Sequence, residues 1–347
     1  MRRLSAVLAM LTLLVTSANG DVFNMGPGIT SLELVPVGNP GNEGEASGGM
    51  GGAGPSRVCG AVDYEYFIGA YEVTTRQYTE FLNAVAADDT YGLYNLWMWT
   101  DENSCMIQRS GEPGRYTYSV AADRVNRPVG SVSFWDACRF ANWLHNGQPT
   151  GAQNAHSTED GAYTLNGYTG DYGGTIARNA DARFFVPNED EWYKAAYHKN
   201  DVATQHYWDY PMSSDWTPTN VLTEPDQSNS ANFFRNGYTI GAPYYTNIVG
   251  AFANSGSPYG TFDQGGNLWE WTETIRDGFS RVLRGGAYRH DVMYLRAWNR
   301  HLAYYPAREY STTGFRVAFV PEPGSVTLLV CGGIVLLAYA WRKPRRR

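Results

Sequence analysis

Cysteine and histidine are the residues of this chain with the widest chemical reach, and there are only four and six of them. Cys59, Cys105 and Cys138 fall in the body and Cys331 near the end. An odd number in the body allows one disulfide in an oxidising compartment and leaves one thiol free; spacing does not choose the pair. No Cys/His spacing matches a zinc site. His198 and His206 do not make a ligand pair, and the scattered histidines read as exposed or hydrogen-bonded. Cys138 shares an apolar helical stripe with Phe134, Ala141 and Leu144, so it reads as core rather than nucleophile. The carboxylates Asp136, Glu189, Asp190 and Glu191 cluster at helix starts, where capping accounts for them. His290, Met293 and His301 are the remaining donors of a type that can hold a soft or borderline metal. The richer resource is aromatic: 25 Tyr and 11 Trp, interleaved with Asn and Gly. Aromatic faces beside polar amides suit recognition of sugars or protein partners.

The elements that position these residues announce themselves by their starts. Thr74 and Gln77 form a Ser/Thr-x-x-Glu/Gln capping box, and Tyr78, Phe81, Leu82 and Val85 fall on one face of the helix behind it. Ser133 caps a second helix with Asp136 in its first turn. Asn188 caps a third, with Glu191 reaching back. A short strand is expected over Leu32 to Val37. Residues 38–57 are rich in Gly, Pro and Asn, which reads as a mobile linker. Residues 146–183 and 201–259 are long, polar and aromatic loops, a length usually tied to function or to bound ions. Gly265 and Gly266 permit a tight turn. Trp269 and Trp271 share a face if their segment is a strand. Arg284 and Arg316 sit in strand-like segments, where a buried guanidinium needs a carboxylate or carbonyl partner.

Both ends carry signals. Arg2 and Arg3 precede an apolar run to Val15 and then small residues, the pattern of a cleavable export leader over residues 1–20. Residues 21–57 follow as an N-terminal segment and linker, and residues 58–320 form one domain. Residues 321–347 form a sorting unit. Val320-Pro-Glu-Pro-Gly324 leads into the apolar run Ser325 to Trp341, a marginal membrane span, and then into Arg342, Lys343 and three further arginines, a cytoplasmic stop by the positive-inside rule. The net charge is −7. Setting aside Arg2, Arg3 and the five cations after Trp341 gives −7 − 2 − 5 = −14 for the remainder, which argues against a nucleic-acid partner.

This tail resembles the PEP-CTERM signal of Gram-negative bacteria. The resemblance implies processing by an exosortase, membrane attachment at least for a time through the C-terminal helix, and delivery to the cell surface or matrix. The body resembles the formylglycine-generating enzyme (sulfatase-modifying factor) family through five ordered motifs: Tyr71-Glu-Val-Thr74, Pro187 to Trp192, Gly260 to Thr272 with its Gln-Gly-Gly-Asn-Leu-Trp-Glu-Trp core, Arg281 to Tyr288, and Thr313 to Phe319. The implied fold is a C-type-lectin-like α+β domain with small twisted antiparallel sheets, two or three helices and much irregular structure. The family implies a calcium site that maps to Asp263, Gly266, Leu268 and Glu270, hard oxygen ligands on a turn. A second family site would begin at Asn232 and Phe233, but Gly241 stands where its acidic partner aligns. Catalytic members hold copper through two cysteines between the Gly-Gly and Gly-Phe-Arg motifs. By counting, Leu295 and Arg300 occupy those positions, and no cysteine lies anywhere from Arg139 to Val330. Copper is therefore not expected. The reading that follows is a non-catalytic surface module for a carbohydrate or protein ligand; the alternative is a modifying oxidase with non-cysteine ligands.

Overall fold

The computed structural model describes residues 31–49 and 54–321. The expected export leader, the expected tail helix with its basic stop, and Cys331 lie outside the described residues. Among the described residues no helix is long and apolar enough to cross a membrane.

All three capped helices form where their N-terminal chemistry places them. Helix α1 spans Thr75–Val85, with the Gln77 N–H donating to Thr74 Oγ1 and the Thr74 N–H to Gln77 Oε1. A short turn of helix, α2, covers Trp97–Thr100 and had no sequence signal. Helix α3 spans Phe134–His145, its first turn closed by reciprocal Ser133 and Asp136 bonds. Helix α4 spans Glu189–Tyr197 behind the Asn188–Glu191 box. The stripes expected to be buried on α1 and α3 are buried. Their rings meet in one cluster: Phe81 packs on Phe140 and Trp143, and Phe315 closes against Phe140.

Strands β1 (Leu34–Val37), β4 (Tyr66–Gly69), β7 (Phe184–Phe185) and β12 (Ala318–Phe319) make one antiparallel sheet in the order β1-β4-β12-β7. A second sheet runs β10-β9-β8-β11, from Ala303–Tyr304, Arg281–Arg284, Trp269–Ile275 and Thr313–Gly314. Its β8–β11 pairing is parallel, a departure from the all-antiparallel expectation. Trp269 and Trp271 lie on β8, and both indoles are buried. Two hairpins complete the set: β2 (Glu45–Ser47) with β3 (Arg57–Cys59), and β5 (Gln108–Ser110) with β6 (Thr117–Ser119).

Of the linker expected over residues 38–57, the described parts, 38–49 and 54–57, are packed against the domain. The β2–β3 hairpin is fixed to the far end of the domain: Ser47 Oγ donates to the Ala297 carbonyl at 2.8 Å and the Gly48 N–H to the Trp298 carbonyl at 2.7 Å. At Gly54 a Cβ would lie 2.1 Å from the Arg300 carbonyl oxygen. Glycine there serves close backbone approach, not slack. The domain thus reaches back to β1. The disulfide allowed by cysteine count also fails to form, since Cys59, Cys105 and Cys138 are all free and buried. Cys59 packs in a small satellite core with Trp192 and Tyr197, apart from the main core that holds Cys105 and Cys138.

Candidate functional site

The turn after β4 and the turn into β8 meet in a polar cluster. Gly266 adopts φ +90°, and a Cβ there would lie 2.2 Å from the Asn232 carbonyl oxygen. That approach sets the entry of β8, from which Glu270 points inward. Its carboxylate accepts from Arg316 Nε and Nη2, each at 2.6 Å, and from Trp192 Nε1 at 2.8 Å. All three side chains are buried. Arg316 also donates to the Gly69 and Phe262 carbonyls. Glu270 and Arg316 are therefore a bidentate pair that locks the two sheets together.

Asp263 accepts from the Gly250 N–H at 2.6 Å and Asn247 Nδ2 at 3.0 Å. Glu72, in the Tyr71-Glu-Val-Thr74 motif, accepts from Asn267 Nδ2 at 2.7 Å and the Leu268 N–H at 3.1 Å. Two buried carboxylates, Glu72 and Glu270, and the half-buried Asp263 thus lie around one guanidinium, which pairs with Glu270 alone. Burial raises the Asp263 carboxyl above its ordinary range; burial, then the charges of Glu270 and Asp263, push Glu72 well above it. Around them, Asn232 Oδ1 and Asn247 Oδ1 are buried acceptors without a donor. Both amides touch the cluster, Asn232 through Asn267 Oδ1 and Asn247 through Asp263. The orphaned oxygens and excess negative charge fit a hard cation at Asp263. Glu270 fits less well, because a guanidinium already occupies both of its oxygens. Gly266 and Leu268 lie on the turn that leads into β8, and Glu270 on that strand is engaged by Arg316.

Arg284 finds the carboxylate expected for it. Its Nε donates to Glu189 Oε1 at 3.0 Å, and its Nη1 donates to the Asn299 carbonyl at 2.5 Å. Glu189 also takes Arg300 Nε, at 2.9 Å to each oxygen. Arg300 is thereby a buried ion-pair partner, and Leu295 packs in an apolar cluster with Tyr210 and Phe233. Those are the two positions counted against the thiolates of catalytic relatives. His290, at the start of the same segment, accepts from Trp269 Nε1 at 3.2 Å. Burial and the neighbouring Arg289 charge lower it to about 4, so it is neutral near pH 7. The Tyr294 ring packs on both His290 and His301. Among the described residues no group of three His, Cys, Asp or Glu could hold a metal, so a cation at Asp263 would rest on that one carboxylate and neutral oxygens. His198 is buried and bonded to Tyr259 and the Thr204 carbonyl, while exposed His206 pairs with Asp201.

The aromatics assemble where the long loops meet the segment from Arg284 to Gly314. Phe234, Tyr238, Tyr245 and Tyr288 form a chain of contacts at 5.1, 5.1 and 5.6 Å between centroids. Tyr288 is hydrogen-bonded by Ser311. Ser311 also borders a small polar hollow with Asn103, Arg124, Arg127 and Thr246, of ≈ 10 Å³, room for about one water. Tyr304 and Tyr310 pair at 4.8 Å. Sequence composition pointed to these rings in general; which of them converge depends on tertiary folding of the loops.

The two sheets, the three capped helices and the Glu270–Arg316 lock define an α+β scaffold with a turn-built polar centre. The chain belongs to the family of sulfatase-modifying factor enzyme 1-like domains, whose model matches residues 41–320. Among solved structures, Treponema denticola variable protein 1 is similar at a TM-score of 0.50 and 18% identity, over 86% of this chain and 98% of that one. That likeness concerns the fold. PvdO from Pseudomonas aeruginosa aligns at a TM-score of 0.49 and 16% identity, over 86% of this chain and 100% of its own. CarF aligns at 0.46 and 20% identity, over 84% of this chain and 99% of its own. No curated protein matches the chain.

Proposed function

We propose that this protein is an exported surface or matrix module that binds a ligand through its aromatic loops and performs no oxidase chemistry. One observation carries the reading. The two positions aligned with copper thiolates hold Leu295, packed in an apolar cluster, and Arg300, ion-paired with buried Glu189. Thiolate is the soft ligand that Cu(I) needs, and no described cysteine lies in this segment. The test is incubation of the purified protein with copper and a cysteine-containing sulfatase peptide, followed by mass spectrometry and oxygen consumption. Unmodified peptide is the expected result; stoichiometric copper and an aldehyde product would overturn the reading. The alternative, an oxidase or other modifying enzyme with non-cysteine ligands, predicts a turnover that His290→Ala or His301→Ala abolishes.

The reading extends to a cofactor. Calcium held by Asp263, with the Gly266 and Leu268 carbonyls and the free amide oxygens of Asn232 and Asn247, would neutralise a cluster now short of positive charge. Glu270 would then act chiefly through Arg316. Millimolar calcium is expected to raise the melting temperature of the wild type, by about 3 kcal/mol of stabilisation when its concentration is 100 times Kd, and to leave Asp263→Ala unmoved. An equal shift in both proteins would remove calcium from this place.

A further inference from the structure

We propose that the aromatic face between Phe234 and Tyr310 binds a carboxylated polysaccharide, with Arg289 as its anion anchor. The inference rests on the binding-module reading above and names the ligand class of that module. Phe234, Tyr238 and Tyr310 are 40, 47 and 46% exposed, unusual for rings so close to a core. They are held upright rather than collapsed. Phe234 meets Tyr238 at 73° and Tyr238 meets Tyr245 at 82°, edge to face rather than stacked, and Phe234 and Tyr238 stay partly open to solvent. Rigid, half-open tyrosines offer a stacking face and a hydroxyl together at low entropic cost, which matches the apolar C–H faces and hydroxyl edges of a pyranose.

Arg289 follows Tyr288, whose ring packs on Tyr238 and Tyr245, and precedes His290, whose carbonyl accepts the Phe234 N–H at 2.9 Å. Its charge acts on Tyr288, Tyr304 and His290, and its side chain is exposed. Unlike Arg57, Arg139, Arg178, Arg284, Arg300 and Arg316, it has no carboxylate within ion-pair distance among the described residues. A guanidinium left open among rings suits a carboxylate received in bidentate fashion. The nearby acids have other tasks: Asp101 accepts from the Asn103 N–H at 2.9 Å, and Asp291 accepts from the Met293 N–H at 3.0 Å. Against the negative charge of the body, a free cation among rings marks where a polyanion can approach. A peptide fits less well, because β-strand addition needs a usable sheet edge and β10, next to this face, is two residues long.

The experiment is titration calorimetry of the full-length protein with hexagalacturonate, cellohexaose and poly-glutamate at two salt concentrations. Hexagalacturonate is expected to bind, more weakly at higher salt, while cellohexaose binds at least tenfold more weakly. Arg289→Ala should weaken binding about tenfold, the equivalent of one charge-assisted contact, and Tyr238→Ala with Tyr310→Ala should do at least as much. Exposed Trp216→Ala should change nothing. All these side chains are surface groups, and unchanged circular dichroism and melting temperature will show that the variants are folded. Poly-glutamate binding as tightly as the uronate, uronate affinity indifferent to Arg289→Ala, or no uronate binding at all would each overturn the proposal. None of those results restores oxidase activity, so the binding-module reading falls only to the peptide-oxidation assay.

Discussion

Glu309 shows what a single residue can report. It sits beside Asp136, the residue that closes the α3 capping box, and Asn95 Nδ2 donates to it. Burial first, then the Asp136 charge, raises Glu309 to about 9; burial raises Asp136 to about 6. Two carboxyls this close titrate as a pair that holds one proton over a wide range. The folded state therefore binds a proton that the unfolded chain, with Glu near 4.5, releases. The contribution to stability is fully present below pH 4.5 and is lost as pH rises toward 9. Glu309→Gln keeps the hydrogen bond without the titration. Its melting temperature should change less than the wild type's between about pH 5 and 9, and parallel curves would show that Glu309 is not the proton-holding group. Little of this was legible beforehand: Asp136 was visible as a cap, but its partner is remote in sequence. The same holds for Glu72 and Arg289, whose meaning depends on what folding brings beside them. The needs of Arg284 and Arg316 were legible because a strand-borne guanidinium must find an acceptor wherever it is buried.

Elements divide by whether their cause is local. The three capped helices were readable because an N-cap and the residue three positions on solve the same problem of unpaired N–H groups within one turn. The β2–β3 hairpin was not, because its partners are the carbonyls of Ala297 and Trp298, and its glycines look like those of any linker. Asn188 tests the local case. Its Oδ1 accepts from the Glu191 N–H at 2.9 Å while Glu191 Oε2 accepts from the Asn188 N–H at 2.7 Å. Glu191 in turn holds Arg178, which bridges to Glu273 on β8. Removing the cap costs about 1 kcal/mol on its own. Asn188→Ala should thus lower the melting temperature by about 2–4 °C for a domain of this size. A drop several times larger would mean that the cap also holds the Arg178 bridge in place, and Arg178→Met would then show the same loss.

At the scale of the whole molecule, the last strand runs directly into Val320-Pro-Glu-Pro-Gly324, the segment that the proposed export reading takes as its sorting motif. β12 lies inside its sheet, with Ala318 opposite both Ile68 and Phe185, and the Val320 N–H donates to the Arg183 carbonyl at 2.9 Å. The Pro-Glu-Pro segment begins at the next residue, so the folded body offers no spacer before it. We propose that a processing enzyme cuts at this junction only after the body is exported and folded, because β12 would otherwise be exposed together with the motif. Processing that trims past Phe319 would remove a central strand and unfold the domain, whereas a cut within Val320 to Gly324 leaves both sheets intact. In a host that carries an exosortase, surface-released protein should start near Asn19 or Asp21, end within that motif, and lack every peptide from Ser325 to Arg347 by intact-mass and peptide analysis. Released protein that still contains the arginine tail would instead make the C-terminal segment a permanent part of the molecule. A body that stays folded and binds ligand after the cut would place all recognition upstream of Pro321, where the aromatic face and its open arginine lie.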